Sequence, residues 1–198
     1  MTDKKRLFIG IQVVLTSGTA TFYNSISEIL DTASVKWVGI NNLHLTLKFL
    51  GDVGVDKISS INKKMELVAQ QHDEFEAVLK GVGIFKNFYH PKVLWIGLRN
   101  CPEFEKLKND IENYISDIGF EVDFRKFAPH LTLGRFRYPG SIDQLKKFIS
   151  DNQDTYFQNI RITEIILYES ILKRSGPEYK VVEKYPLGTD QNFTEFKF

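Results

Sequence analysis

One tetrapeptide, His-Leu-Thr-Leu, occurs twice in the chain, at His44-Leu45-Thr46-Leu47 and at His130-Leu131-Thr132-Leu133. The two copies start 86 residues apart. That period is too long for a solenoid and suits two related half-domains. Both copies sit in strand-like sequence. In a strand the side chains alternate between faces, so His and Thr share one face and the two leucines take the other. The His and Thr Cα atoms then lie roughly 6.5–7 Å apart. Each copy therefore buries its leucines and presents an imidazole beside a hydroxyl on the open face. Two such strands facing each other across a pseudo-twofold cleft offer two imidazoles and two hydroxyls to one small ligand.

The rest of the chain fits this frame. Leu7 to Leu15 is rich in β-branched and aromatic residues and predicts a strand. Thr16 and Ser17 cap a helix to about Asp31, with Phe22, Ile26, Ile29 and Leu30 on one stripe. Strands are expected over Val35–Val38 and Leu43–Leu50. A helix carrying Ile58, Ile61, Met65 and Val68 follows. Phe75–Phe85 and Val93–Leu98 predict a strand pair around the turn Lys86 to Pro91. Pro102 opens a third helix, which Gly119 ends. Leu131–Phe136 is a strand, Pro139-Gly140 a turn, and Ser141 with Gln144 a capping box for a fourth helix. Ile160–Leu172 and Tyr179–Leu187 close the chain as strands around the turn Arg174 to Pro177. This order predicts an α+β fold with mostly antiparallel sheet and outer helices. No linker divides residues 1–198, which are expected to form a single domain of two pseudo-symmetric lobes about a central cleft.

Composition narrows the function classes. An apolar fraction of 42% excludes a disordered chain. Lys and Arg total 26 against 25 Asp and Glu, a net charge of +1. A protein that grips long duplexes carries a marked basic excess, so a nucleic acid would be met at an end or at one nucleotide. Cys101 is the single cysteine and cannot form a disulfide within the chain. No apolar run approaches a membrane span, and no signal-peptide pattern follows the first apolar stretch. The expectation is a cytoplasmic monomer with no obligate protein partner.

Two histidines about one centre suit acid–base displacement at phosphorus. A neutral imidazole takes a proton from attacking water, and an imidazolium gives one to the departing oxygen. Threonine hydroxyls can donate to the non-bridging phosphoryl oxygens, where charge gathers. A metal site is disfavoured, because threonine is a poor ligand and neither copy has a second His or a carboxylate at i+2. The chemistry as read needs no metal and no cofactor. Structural histidines, half-buried and hydrogen-bonded, are the plain alternative.

The paired motifs resemble those of the two-histidine phosphoesterase superfamily, specifically its LigT-like bacterial RNA 2′,3′-cyclic phosphodiesterases. The resemblance extends to Arg6-Leu7-Phe8-Ile9, Asn42 through Gly51, Val93 through Leu98, Pro129 through Arg135, and Leu167-Tyr168-Glu169-Ser170 followed by Tyr179. It implies a bilobal fold with two antiparallel sheets flanking a cleft. It also implies hydrolysis of a terminal 2′,3′-cyclic phosphate on RNA or a nucleotide to a 2′-phosphate. By that resemblance His44 is the proton donor and His130 the proton acceptor, while Thr46 and Thr132 bind the phosphate. Arg135 would bind it too, although strict alternation sends Arg135 to the face opposite His130. A bulge at Gly134 would restore it. Rival readings are an RNA-end-binding module without turnover, and an esterase for another cyclic phosphate or RNA 3′ end.

The remaining candidates read as structural. His72 is expected on the surface near a helix C-terminus. His90 belongs to a turn whose Phe88 and Tyr89 could border the cleft. Trp37, Trp95 and Phe8 are expected in the core, and Cys101 is a bystander. Arg135, Arg137, Lys173 and Arg174 are a possible rim for RNA.

Overall fold

The computed structural model describes residues 3–30, 34–99, 101–125, 127–173 and 176–188. Its strands are β1 (Lys4–Gln12), β2 (Val35–Trp37), β3 (His44–Gly54), β4 (Phe75–Phe85), β5 (Val93–Arg99), β6 (His130–Phe136), β7 (Tyr156–Ile162), β8 (Glu164–Lys173) and β9 (Gly176–Pro186). They form one sheet in the order β7-β4-β5-β6-β3-β1-β8-β9, with β2 paired to β6. All the pairings are antiparallel. The expected α+β class with mostly antiparallel sheet is what the chain adopts.

The helices are α1 (Ser17–Ile29), α2 (Ile58–Ala69), α3 (Pro102–Ser116) and α4 (Ile142–Asn152). Their starts follow the local chemistry. The Thr16 hydroxyl accepts from the Thr19 amide and that of Ser141 from the Gln144 amide, while Pro102 occupies the first turn of α3. Among the described residues no helix is long and apolar enough to cross a membrane. Ile26 of α1, Ile61 and Met65 of α2, Phe104, Leu107 and Ile111 of α3, and Leu145 of α4 join one core with Leu45, Leu47, Leu131 and Leu133. The motif leucines therefore lie on the helix-covered face, as the alternation requires.

The run expected as one strand over Ile160–Leu172 is two strands. It breaks at Thr163, where the chain leaves β7, paired with β4, and enters β8, paired with β1, on the other half of the sheet. The segment is rich in β-branched and apolar residues with no Gly or Pro, so its sequence carries no signal for the crossing. β3, β1, β8 and β9 make one half-sheet, and β6, β5, β4 and β7 the other. The halves meet at a single residue pair, Leu45↔Leu131.

Two polar groups are buried beneath this frame. His72, expected at the surface, is 6% exposed, and its Nε2 lies 2.9 Å from Asp110 Oδ2. The polar run around it ends α2 against α3, and the partner carboxylate is distant in sequence. Behind β3, the Lys48 ammonium pairs with Glu112 and donates to the Glu121 carbonyl at 2.8 Å. Lys108 lies 3.4 Å from the same carboxylate, which also accepts from the Asp123 amide at 3.2 Å. This buried cluster ties the strand of the first motif to the segment that leads into the second. Removing the shared anion leaves two ammonium groups without a counter-charge. Glu112→Ala is expected to destabilise the fold by about 3–5 kcal/mol. Lys64→Ala, which breaks the more exposed pair with Asp117, should cost under about 1 kcal/mol. Urea unfolding of both variants compares the two; equal losses would contradict the burial argument.

Candidate functional site

The Leu45↔Leu131 pair is antiparallel, so one residue back along β3 corresponds to one residue forward along β6. His44 thus neighbours the position of Thr132, and His130 that of Thr46. All four lie on the face opposite the buried leucines, and all four are half-buried. A local twofold axis passes between Leu45 and Leu131.

Each motif ends in the same irregularity. In β3, Gly10 pairs with Thr46 and Ile9 with Lys48, leaving Leu47 as an extra residue. In β6, Trp95 pairs with Thr132 and Leu94 with Gly134, leaving Leu133 extra. Each bulge resets the alternation beyond it. Arg135 now pairs with Val93, two residues from the partner of Thr132, and so returns to the His130 face. Glycine suits position 134 because a Cβ there would lie 2.5 Å from Val35 Cγ1 on β2. The residue equivalent to Arg135 in the other half is Phe49, five places after His44, which pairs with Phe8 and is 63% exposed. The sequence reading assigned nothing to Phe49. The equal spacing from the two histidines was the signal that could have found it.

Both imidazoles are held in the same way. His44 Nδ1 lies 2.7 Å from the Asn42 carbonyl, and His130 Nδ1 lies 2.7 Å from the Ala128 carbonyl, each two residues back. A carbonyl only accepts, so each Nδ1 carries the proton and each Nε2 is left for a ligand. The surroundings differ. His44 packs against Phe8 at 4.9 Å and edge-on against Tyr179 at 5.0 Å, with Tyr168 at 6.3 Å. His130 meets Phe85 edge-on at 4.6 Å. Gly10 makes room on the His44 side, since a Cβ there would lie 2.8 Å from the Leu45 carbonyl and 3.6 Å from the His44 ring. Phe8 is core, as expected, but it is also the floor beneath His44.

Electrostatics couple the groups. Burial lowers the pKa of His44, and the charges of Arg135 and His130 lower it further, against the opposing Asn42 hydrogen bond. His130 is lowered by burial and by Arg135, against its bond to Ala128. Arg135 therefore acts on both rings. Near neutral pH the site presents two neutral imidazoles and a cation, a combination that favours an arriving anion. Burial pushes the Tyr168 phenol up to about 12, so it stays a hydrogen-bond donor.

His44 itself lines a cleft of about 80 Å³ with Asn42, Tyr168 and Tyr179. Two larger cavities lie beyond Tyr179 and Arg135, neither lined by a motif histidine or threonine. One, of about 510 Å³, is lined by residues that include Lys36, Trp37, Asn42, Arg135, Glu178 and Tyr179. The other, of about 480 Å³, shares Lys36, Arg135, Pro177 and Tyr179 and adds Arg6, Phe8 and Phe49. Trp37, expected in the core, is half-buried and lines the first cavity. Trp95 is also half-buried and covers Gly83, where a Cβ would fall 2.3 Å from its ring. The apolar strand patterns around the tryptophans did not reveal that both stop short of full burial. Tyr89 lies under Lys146 Nζ at 5.9 Å, and His90 is exposed in its turn. Of the expected rim, Lys173 pairs with Glu178 and Arg137 is exposed; Arg174 falls outside the described residues. Burial raises the Cys101 thiol to about 11, which leaves it protonated and unreactive. Among the described residues no three His, Cys, Asp or Glu side chains group to hold a metal ion.

Comparison with known proteins gives this geometry its family. The family model of the 2′-5′ RNA ligase superfamily matches residues 30–173. The chain belongs to that superfamily. It is a two-histidine phosphoesterase of the LigT-like kind, as the motifs imply. A protein of Methanothermobacter thermautotrophicus named RNA 2′,3′-cyclic phosphodiesterase is 32% identical over 186 residues, 93% of this chain and 100% of the relative. One of Thermotoga maritima with the same name is 36% identical over 146 residues, 74% of this chain and 76% of that one. The fold is shared with TT0787 of Thermus thermophilus, at a TM-score of 0.77 and 23% identity over 93% of this chain and 99% of that one. It is shared also with E. coli LigT in its apo form, at 0.73 and 23% over 94% and 99%.

The two-histidine site makes a spectroscopic prediction that needs no substrate. In NMR titrations both His44 and His130 should show apparent pKa values below the ordinary value of about 6.5, and the two curves should be coupled. Arg135→Ala should move both upward. A change at one ring only, or at neither, would contradict the shared position assigned to Arg135.

Proposed function

We propose that this two-histidine phosphoesterase hydrolyses a terminal 2′,3′-cyclic phosphate on RNA or a nucleotide to a 2′-phosphate, with the paired histidines as general acid and base. The observation that carries the reading is the matched pair of Nδ1–carbonyl anchors on two strands joined at Leu45↔Leu131, which leaves the Nε2 of each histidine free for a ligand. The names of the relatives support the substrate class.

In this mechanism the phosphate enters between the rings. Thr46 and Thr132 donate to its non-bridging oxygens, and Arg135 balances their charge. The neutral Nε2 of His130 accepts a proton from water as the water oxygen bonds to phosphorus. The bond from phosphorus to the 3′ oxygen breaks, and protonated His44 Nε2 supplies the proton that the leaving oxygen takes. The proton lost by water stays on His130 and returns through solvent to His44. Assignment of His44 as donor follows the first-motif position of the family.

Burial bears on this division of labour. It disfavours charge on His44 in the free protein, with Arg135 adding to the effect, so a phosphate anion in the site favours the charged acid by countering both. Substrate binding and proton uptake are then linked events. All four motif residues lie on strands joined at one pair, so both lobes are proposed to work as a single domain. The site's chemistry runs on side chains of this chain without cofactor or metal. RNA as substrate and a lone, protonated cysteine fit a cytoplasmic enzyme acting as a monomer.

The deciding experiment is incubation with uridine 2′,3′-cyclic phosphate in excess EDTA, with the product isomer identified by phosphorus NMR. Turnover undiminished by chelator, yielding uridine 2′-phosphate alone, is expected. A 3′-phosphate product would reverse the leaving group, and tight binding without turnover would make the protein an RNA-end binder.

A further inference from the structure

The trough that runs from Tyr179, the neighbour of His44, past Arg135 holds more positive charge than one cyclic phosphate needs. Lys36 of β2 and Arg135 of β6 are direct cross-strand partners, an arrangement that places Cα atoms about 4.5–5.5 Å apart. Like charges directly opposite destabilise a strand pair. Among the described residues neither side chain forms an ion pair, and both line both cavities. Arg6 lines the second cavity, and its register partner Asp52 makes no ion pair with it. The charges of Arg6 and Arg135 both reach Tyr179. Glu178 is the only carboxylate among the described lining residues, and it is engaged by Lys173.

Apolar surface alternates with these cations. Trp37 forms a wall of the first cavity, the exposed ring of Phe49 a wall of the second, and Tyr179 stands in both, 5.0 Å from the His44 ring. A groove in which cations track a backbone and aromatic rings receive bases is the general solution for single-stranded nucleic acid. One cyclic phosphate carries a single negative charge, which Arg135 and the threonines already meet. Lys36 is a second cation in the same trough, with no carboxylate partner among the described residues.

We propose that the trough holds the nucleotide upstream of the cyclic-phosphate end, with Lys36 bound to the 3′,5′-phosphodiester that joins the last two nucleotides. The enzyme then prefers RNA of two or more nucleotides over a cyclic mononucleotide. This inference rests on the phosphodiesterase reading of the histidine pair.

The test compares kcat/KM for uridine 2′,3′-cyclic phosphate and for the uridine dinucleotide ending in a 2′,3′-cyclic phosphate, in the wild type and in Lys36→Ala. The wild type should favour the dinucleotide. Lys36→Ala should lose about tenfold on the dinucleotide, hold the mononucleotide within about twofold, and flatten the logarithmic salt dependence for the dinucleotide by about 0.7. Lys36→Arg should keep most of the preference. Equal losses on both substrates, or no loss on either while the wild type turns both over, would overturn this inference alone. Failure of the wild type to hydrolyse either substrate would overturn the phosphodiesterase reading, and this inference with it.

Discussion

The structure hinges on one backbone pair. Leu45 and Leu131 join two four-stranded half-sheets that otherwise share no strand pairing along that line. Both leucines are fully buried, so the helices fix their side of the sheet, and the histidines and threonines on either side must then face the cleft. Had the halves met one residue out of register, each motif would bury its imidazole and expose its leucines. The same pair sets the local twofold, and on either side of it each histidine is anchored through Nδ1 to the carbonyl two residues back. The Lys48–Glu112–Lys108 cluster reinforces the join from behind, holding the segment before His130 against the strand that carries His44.

Much of this was legible in the sequence because the repeat is a strand motif with a period of two. The face shared by His44 and Thr46, the buried leucines, the capped starts of α1 and α4 and the proline start of α3 follow from side-chain alternation and local backbone chemistry. Arg135 was legible once a bulge was allowed, and the bulge falls at Leu133 beside Gly134. Its twin at Leu47 was not anticipated, and Phe49 went unnoticed with it. The crossing at Thr163 and the burial of His72 were illegible for a different reason. Each depends on a partner far along the chain, β1 for β8 and Asp110 for His72, and neither leaves a local mark. Lys36 reads as an ordinary strand-edge lysine until its register against Arg135 is known.

Charge in this protein is local rather than global. A net charge of +1 hides an uneven arrangement. Cations such as Lys5, Lys48, Arg161 and Lys184 pair with carboxylates elsewhere, while Arg6, Lys36 and Arg135 converge on the trough without an ion pair among the described residues. That imbalance, together with two histidines whose protonation burial disfavours, favours an anion at one place, and a bound anion would in turn favour uptake of a proton from solvent. Affinity for long duplexes is not implied by such a surface. The proposed recognition of an RNA end fits it better, since the cations and aromatic walls are confined to two adjoining cavities.

The central claim is that His44 and His130 act together in one displacement at phosphorus. Single-turnover hydrolysis of a cyclic-phosphate dinucleotide by His44→Ala, His130→Ala and the double variant tests it most directly, with thermal melts to confirm folding. Each single change should slow the chemical step by about 10²–10⁴-fold. The double variant should be little slower than the worse single one, because the second group has no partner once the first is gone. Losses that multiply in the double variant would mean that the two histidines serve separate steps. Wild-type rates in either folded single variant would remove that histidine from the chemistry altogether.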